Sequence, residues 1–281
     1  MEQALKDQTV IVTGAARGIG LAQASHFAGL GANVVIVDSG CQLDGTGQDG
    51  NIATKVAKDI GRRGGVVEAC VVDVRAGNAF ETVMKQTLGR FSGVNAIVLN
   101  AGIHHNQSIR SMTSVHVRLA LSYLESVFDW TTQAIAYWSQ NHQAGCLLLT
   151  TSARAWSGRA QQAHLSALDA GVVALVRSAA LELSNTSVRI NAIAPSAYTR
   201  QTKDTAEYRS IDPAAMDPAL IAPLAAYLIS KHARALNGEV LAVEGHRWFS
   251  YRTLQTSGVF SPADLDFHEI PELAQKALRD A

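Results

Sequence analysis

The residues whose types and spacing could do chemistry begin at Thr13-Gly14-Ala15-Ala16-Arg17-Gly18-Ile19-Gly20, directly after the apolar run at 10–12. Glycines placed this way permit a tight turn and let backbone approach a pyrophosphate. A helix opening at the turn aims its first amides at the negative charge. A strand before and a helix after supply the context that a glycine-rich stretch alone lacks. Asp38 stands 20 residues beyond Gly18, at the end of the next apolar run. A carboxylate there can accept hydrogen bonds from both ribose hydroxyls of NAD, and it would repel the 2′-phosphate of NADP. Asp38-Ser39-Gly40 also suits a plain turn; in combination with the glycines, cofactor binding is favoured. Asp73-Val74 ends a third run, and its carboxylate can accept an adenine amino group. Asn100-Ala101-Gly102 ends a fourth and gives close backbone approach near the adenosine ribose. Such residues mark the C-terminal edge of one sheet, where these folds bind ligands. NAD is the expected cofactor.

Positioning these residues takes alternating strands and helices. Short, continuous apolar runs recur at 10–12, 34–37, 66–72, 96–99, 146–149, 188–193 and 240–243. Strands buried on both faces of a parallel sheet have this composition. Helical segments fall between them, at 19–30, 52–63, 80–90, 115–140, 161–183 and 218–230. The alternation predicts an α/β fold: a doubly wound, parallel, seven-stranded Rossmann sheet with helices on both faces. Residues 1–246 read as a single dinucleotide-binding domain, and 247–281 as a C-terminal extension packed on it. The stretch 39–50, rich in Gly, Asp and Gln, reads as a loop insertion.

Composition narrows the classes. The 281 residues are 47% hydrophobic and 17% charged, enough for a sizeable core. Lys plus Arg equals Asp plus Glu at 24 each, so no net charge draws the chain to nucleic acid or anionic lipid. No apolar stretch is expected to reach membrane-spanning length, and the N-terminus does not resemble a signal peptide. Cys41, Cys70 and Cys146 are scattered, which indicates neither a disulfide framework nor a metal site. A reducing, cytoplasmic setting is the expectation.

The landmarks Thr13–Gly20, Asp73-Val74, Asn100-Ala101-Gly102 and Asn191-Ala192-Ile193-Ala194-Pro195, in this order, resemble the short-chain dehydrogenase/reductase superfamily. Asp38-Ser39-Gly40 with Gly45-Thr46-Gly47, then Arg62-Arg63-Gly64-Gly65, is similar to the (3R)-hydroxyacyl-CoA dehydrogenase domain of multifunctional enzyme type 2; Ile221-Ala222-Pro223-Leu224 adds to that likeness. The resemblance implies an NAD-dependent oxidoreductase that uses Ser, Tyr and Lys, with an Asn on the preceding helix. It adds Pro195 to the cofactor contacts. It points to acyl-CoA thioesters or steroid-like alcohols as substrates. It also implies subunit contacts through the segment 161–183, hence a homo- or hetero-oligomer, dimer or tetramer.

The catalytic half departs from that pattern. Ser152 fits the Ser position; thirteen residues on stands Leu165, and four further on Asp169. No lysine occurs between Lys85 and Lys203, so no shift of register restores the pair. Tyr123 occupies the Asn position. Hydride transfer between an alcohol and NAD needs a proton moved at the same oxygen. A Tyr hydroxyl, with an ordinary pKa of about 10, needs a nearby cation to do it near neutrality. Leu165 has no proton, and an anion at Asp169 opposes phenolate formation. Ser152 can hydrogen-bond a carbonyl but is not a competent base. Asp169 can still accept hydrogen bonds from the nicotinamide ribose.

Tyr123 is the best substitute donor, although plain packing is the commoner role for a Tyr on such a helix. His104 and His105 are expected in solvent, with no third metal ligand at suitable spacing. His164 is expected at subunit contacts. Arg154 and Arg159 could bind an acidic substrate or a CoA phosphate, with surface exposure the default; Trp156 and Tyr198 complete the polar candidates. Three functional readings follow: a silent, pseudoenzyme-like subunit paired with an active paralogue; an oxidoreductase with a non-standard relay through Tyr123, a histidine or water; and a non-redox enzyme or NAD sensor.

Overall fold

The structure, a computed structural model, describes residues 3–261 and 266–279. Its centre is one sheet of eight strands: β1 (Thr9–Thr13), β2 (Asn33–Val37), β3 (Val66–Cys70), β4 (Ala96–Leu99), β5 (Gly145–Thr150), β6 (Val188–Ser196), β7 (Val240–Glu244) and β8 (Arg247–Ser250). The order is β3-β2-β1-β4-β5-β6-β7-β8, and the contacts joining β1 to β7 are parallel. The helices are α1 (Gly18–Gly29), α2 (Gly50–Gly61), α3 (Ala79–Arg90), α4 (Ser114–Gln140), α5 (Arg154–Ser157), α6 (Ala163–Glu182), α7 (Ala222–Ile229) and α8 (Ile270–Arg279).

Period-two alternation divides each strand between two cores. Val10, Val12, Val34, Ile36, Val98 and Leu148 face the layer of α1, α2 and α7. Ile11, Val35, Ile97, Leu147 and Leu149 face α3, α4 and α6. Burial on both sides explains why the runs are continuous in sequence. Each fully buried Leu or Ile contributes roughly 1.5–3 kcal/mol relative to exposure. The winding direction reverses between β1 and β4, and a crevice opens beyond their C-terminal ends.

Three expectations change. The sheet has eight strands rather than seven, because Gly245 takes a positive φ in the turn after β7 and the aromatic stretch Arg247–Ser250 returns as β8. The chain divides into two compact units, Met1–Phe249 and Ser250–Ala281, so the boundary falls beyond 246. Within the second unit, Thr256 Oγ1 donates to the Ala277 carbonyl at 3.1 Å, tying its extended stretch to α8. Finally, α6 does reach the length and hydropathy of a membrane span. Its Leu165, Val172, Val173 and Val176 are buried as in a core helix.

Candidate nucleotide-binding and active site

The crevice is a cavity of about 430 Å³. Gly14, Arg17, Gly18, Ile19, Asp38, Asp73, Val74, Asn100, Ala101, Gly102 and Pro195 line it together with Tyr123, Ser152, Leu165 and Asp169. Thr13 and Gly20 stand behind this wall. Thr13 Oγ1 accepts the amides of Asn100 and Ala101 at 3.0 and 3.1 Å, and Asn100 Nδ2 donates to the carbonyls of Thr13 and Gly14. β1 and β4 are thereby clasped at their ends. A side chain at Gly20 would place its Cβ 2.3 Å from the Gly14 carbonyl oxygen, so only glycine fits. α1 opens without a side-chain cap at Arg17, which leaves its first amides facing the crevice.

Asp38 accepts from Ala16 N at 2.9 Å through Oδ2 and from Gly40 N at 2.7 Å through Oδ1. Lone pairs remain on both oxygens for a ribose. Asp73 is gripped by Arg75: Nε lies 3.0 Å from Oδ1 and Nη2 lies 2.6 Å from Oδ2. Burial alone would raise the Asp73 carboxyl, but the Arg75 hydrogen bonds and charge outweigh it and hold the group below the usual carboxylate range. The expected adenine acceptor is therefore shared with a guanidinium.

The insertion at 39–50 is a strap lying along the cavity. Its carbonyls at Gly40 and Cys41 accept from Arg17, Cys41 also from Arg200, and Gly45 from Arg75. His104 N donates to Leu43 O at 2.8 Å. Gly45 sits at φ +82°, which strains any other residue, and a Cβ there would crowd Ile103 at 3.0 Å and the Tyr123 hydroxyl at 3.2 Å. Sequence reasoning missed Arg75 and Arg200. Arg75, two residues beyond Asp73, carried a local signal; Arg200 carried none.

At the other end, Ser152 Oγ donates to Asp169 Oδ2 at 2.6 Å and Arg154 Nε donates to the same oxygen at 2.5 Å. Arg154 continues through Gln162 (3.0 Å) to Asn106 (2.7 Å). Burial pushes the Asp169 carboxyl above its ordinary value, with Arg154 and Ser152 acting against the rise. Leu165 is 1% exposed and packs with Ile103, Ala120 and Tyr123. Tyr123 lies beneath Arg75, whose Cζ is 5.0 Å from the ring centroid. Burial raises the phenol above its ordinary value despite that cation.

Exposure defaults fail for several side chains. Arg154 is largely enclosed by its pair with Asp169, and Arg159 pairs with Glu207 at 2.5 Å. His105 stacks on His116 at 5.0 Å and meets His164 at 6.0 Å. His164 is buried, and neither ring nitrogen has a partner. Burial, then His105, His116 and Arg154, lower its pKa. Tyr198 does not line the cavity itself; its ring lies 6.4 Å from that of Tyr208, which does. Among the described residues no group of three His, Cys, Asp or Glu is placed to hold a metal ion.

Comparisons with known proteins agree with this geometry. A family model described as enoyl-(acyl carrier protein) reductase matches residues 14–245. The peroxisomal multifunctional enzyme type 2 of Mus musculus is 31% identical over 229 residues, covering 79% of this chain but only 29% of that longer protein. The crystal structure of a short-chain dehydrogenase from Mycobacterium avium superposes with a TM-score of 0.82 at 28% identity, over 99% of this chain and 96% of that one. A 3-ketoacyl-(acyl-carrier-protein) reductase from Brucella melitensis, complexed with NADH, gives 0.75 at 27% identity, over 85% and 98%. By its matched model and its crevice, the chain belongs to the short-chain dehydrogenase/reductase family.

Proposed function

We propose that this chain binds a nicotinamide dinucleotide, NAD(H) in first place, and acts as a non-catalytic subunit beside an active hydroxyacyl-CoA dehydrogenase-like relative. The observation that carries this reading is the state of the proton-transfer positions. Leu165 is a buried aliphatic group in apolar company, and Asp169 is closed into an ion pair with Arg154. The residues present fit the dinucleotide: a side-chain-free turn at Gly20, open amides at the start of α1, and Asp38 with free lone pairs for ribose hydroxyls. When bound, the nicotinamide would supply hydride chemistry; this chain's own groups bind and orient it and leave the substrate oxygen without a Tyr–Lys proton source.

The helical face supports a partner subunit. α4 exposes Val117, Leu121 and Phe128 along one stripe, and the adjoining α6 exposes Ala167, Ala170, Ala174 and Leu181 along another. Small residues beside large apolar ones let a second pair of helices approach closely. Three free thiols suit a reducing, cytoplasmic setting.

Co-purification from the native source tests the reading. A related chain carrying intact Tyr and Lys should accompany this one, and this chain alone should not reduce a ketoacyl-CoA with NADH. Recovery of a lone homotetramer that turns over would overturn it.

One observation favours a second reading, an oxidoreductase with its own relay. Ser152 lines the cavity and its hydroxyl donates to Asp169, whose carboxyl burial pushes above its ordinary value against the opposing pull of Arg154 and Ser152. On that reading Asp169→Asn abolishes turnover while nucleotide affinity is kept.

A further inference from the structure

Three histidine rings from separate stretches of chain meet beside the Ser152 end of the cavity. His105 belongs to the segment between β4 and α4, His116 to the first turn of α4 and His164 to the first turn of α6. The ring of His105 stacks on that of His116 with centroids 5.0 Å apart, and meets that of His164 at 6.0 Å. His164 is 6% exposed and neither of its ring nitrogens has a partner; the Nδ1 of His105 is likewise buried and unpartnered. His116 Nδ1 accepts the amide of Thr113 at 3.1 Å and closes the capping box at the start of α4.

These arrangements suit neutral rings. An imidazolium donates from both nitrogens. On His116 it could no longer accept the Thr113 amide, and on His164 it would sit buried without an acceptor. The charges facing the cluster do not relieve it. Arg154, at the start of α5, acts on His164, and together with Arg159 on His104; the two guanidiniums pair with Asp169 and Glu207. Asp44 of the strap faces His105, but its carboxylate already accepts from the Thr46 amide and hydroxyl.

The segment that carries His105 is also a wall. Ile103 and His104 line the cavity, and Ile103 packs on Leu165. Beyond them the Gln107 amide donates to the Gln161 carbonyl at 2.7 Å, and Asn106 Oδ1 accepts from Gln162 at 2.7 Å. These hydrogen bonds and the ring contacts hold the segment to the starts of α4 and α6.

We propose that His105, His116 and His164 form an acid-operated latch: as the rings take up protons, residues 104–112 lift from the starts of α4 and α6 and the Ser152 end of the cavity opens. Burial, then the neighbouring basic groups, lowers the pKa of His164 in the closed arrangement. Proton uptake therefore favours the open state, where the ring regains water. A ring that is neutral when closed and titrates near 6.5 when open raises the opening constant about tenfold between pH 7.5 and pH 5.5. The latch does not depend on what the cleft binds.

Hydrogen exchange on the full chain at those two pH values, corrected for the intrinsic amide rates, tests it. Amides of residues 104–112 lose at least tenfold in protection at pH 5.5, while those of β1 keep theirs. His164→Phe fills the same space without titrating, so its loss is about tenfold smaller. His116→Gln keeps an acceptor for the Thr113 amide and cannot titrate either, so it too shows a smaller loss. It carries the test if His164→Phe melts early. Protection at 104–112 that is the same at both pH values overturns the latch. So does an equal loss in β1, which is global loosening. A response of wild-type size in both variants assigns it to a group other than the rings and overturns the latch as well.

Discussion

Arg154 Nε lies 2.5 Å from Asp169 Oδ2, so the position expected to hold an unpaired cation holds half of an ion pair instead. A guanidinium two positions after Ser152 supplies positive charge here, and the Asp169 carboxylate neutralises it. Breaking one side exposes the dependence. Asp169→Asn leaves the partly enclosed Arg154 without its anion and should cost about 2–4 kcal/mol of stability. The double change Asp169→Leu with Arg154→Met should recover most of it. Urea unfolding measures both, and a double variant no more stable than the single one contradicts the pairing.

Gly20→Ala should distort the turn, because its Cβ would fall 2.3 Å from the Gly14 carbonyl oxygen. Backbone must move, at a cost of roughly 1–3 kcal/mol. NADH affinity should drop at least tenfold, equivalent to about 1.4 kcal/mol. An unchanged dissociation constant by calorimetry would count against the cleft as the nucleotide site.

Acid should loosen the histidine cluster. Burial is the first cause that lowers the pKa of both His164 and His104; Arg154 and the neighbouring imidazoles add to it. A group lowered on folding contributes stability above its unfolded value, about 6.5 for His, and loses it as pH falls toward the folded one. The groups around His164 are His105, His116 and Arg154, all basic. The melting temperature should therefore fall from pH 7 to pH 5, and His164→Gln should flatten that slope. Asp169 has the opposite sign, since its carboxyl is raised: its contribution is present below the ordinary Asp value and declines as pH rises. The two effects have opposite slopes with pH, and His164→Gln removes only the histidine part.

Phe128→Glu should disrupt subunit association while leaving the monomer folded, because Phe128 is exposed on α4. Sedimentation should show a smaller particle with unchanged far-ultraviolet dichroism. A variant that assembles like wild type would move the interface elsewhere.

What was legible in the sequence was local. The glycine-rich turn, Asp38 and Asn100 announce themselves because their work depends on neighbours along the chain and on strand ends. The continuous apolar runs locate the strands for the same reason. Leu165 and Asp169 are legible as departures from the resembled pattern. The compensation was not, since the contact between Arg154 and Asp169 needs α5 to fold back on α6, and α5 is only four residues long. Arg200 joins Arg17 across 183 residues of sequence (200 minus 17) with no periodic signal. His105, His116 and His164 come from three separate stretches of chain, which is why a reading by spacing put His105 in solvent and His164 at subunit contacts and did not single out His116.

The strap has a kinetic consequence. Its carbonyls are fastened by Arg17, Arg75 and Arg200, and its Leu43 carbonyl by the His104 amide. These bonds tie four of its carbonyls, at Gly40, Cys41, Leu43 and Gly45, to residues 17, 75, 104 and 200, which come from four separate parts of the chain. The strap therefore opens only when several of these bonds break together, and its backbone amides should exchange with solvent as one cooperative unit and not residue by residue.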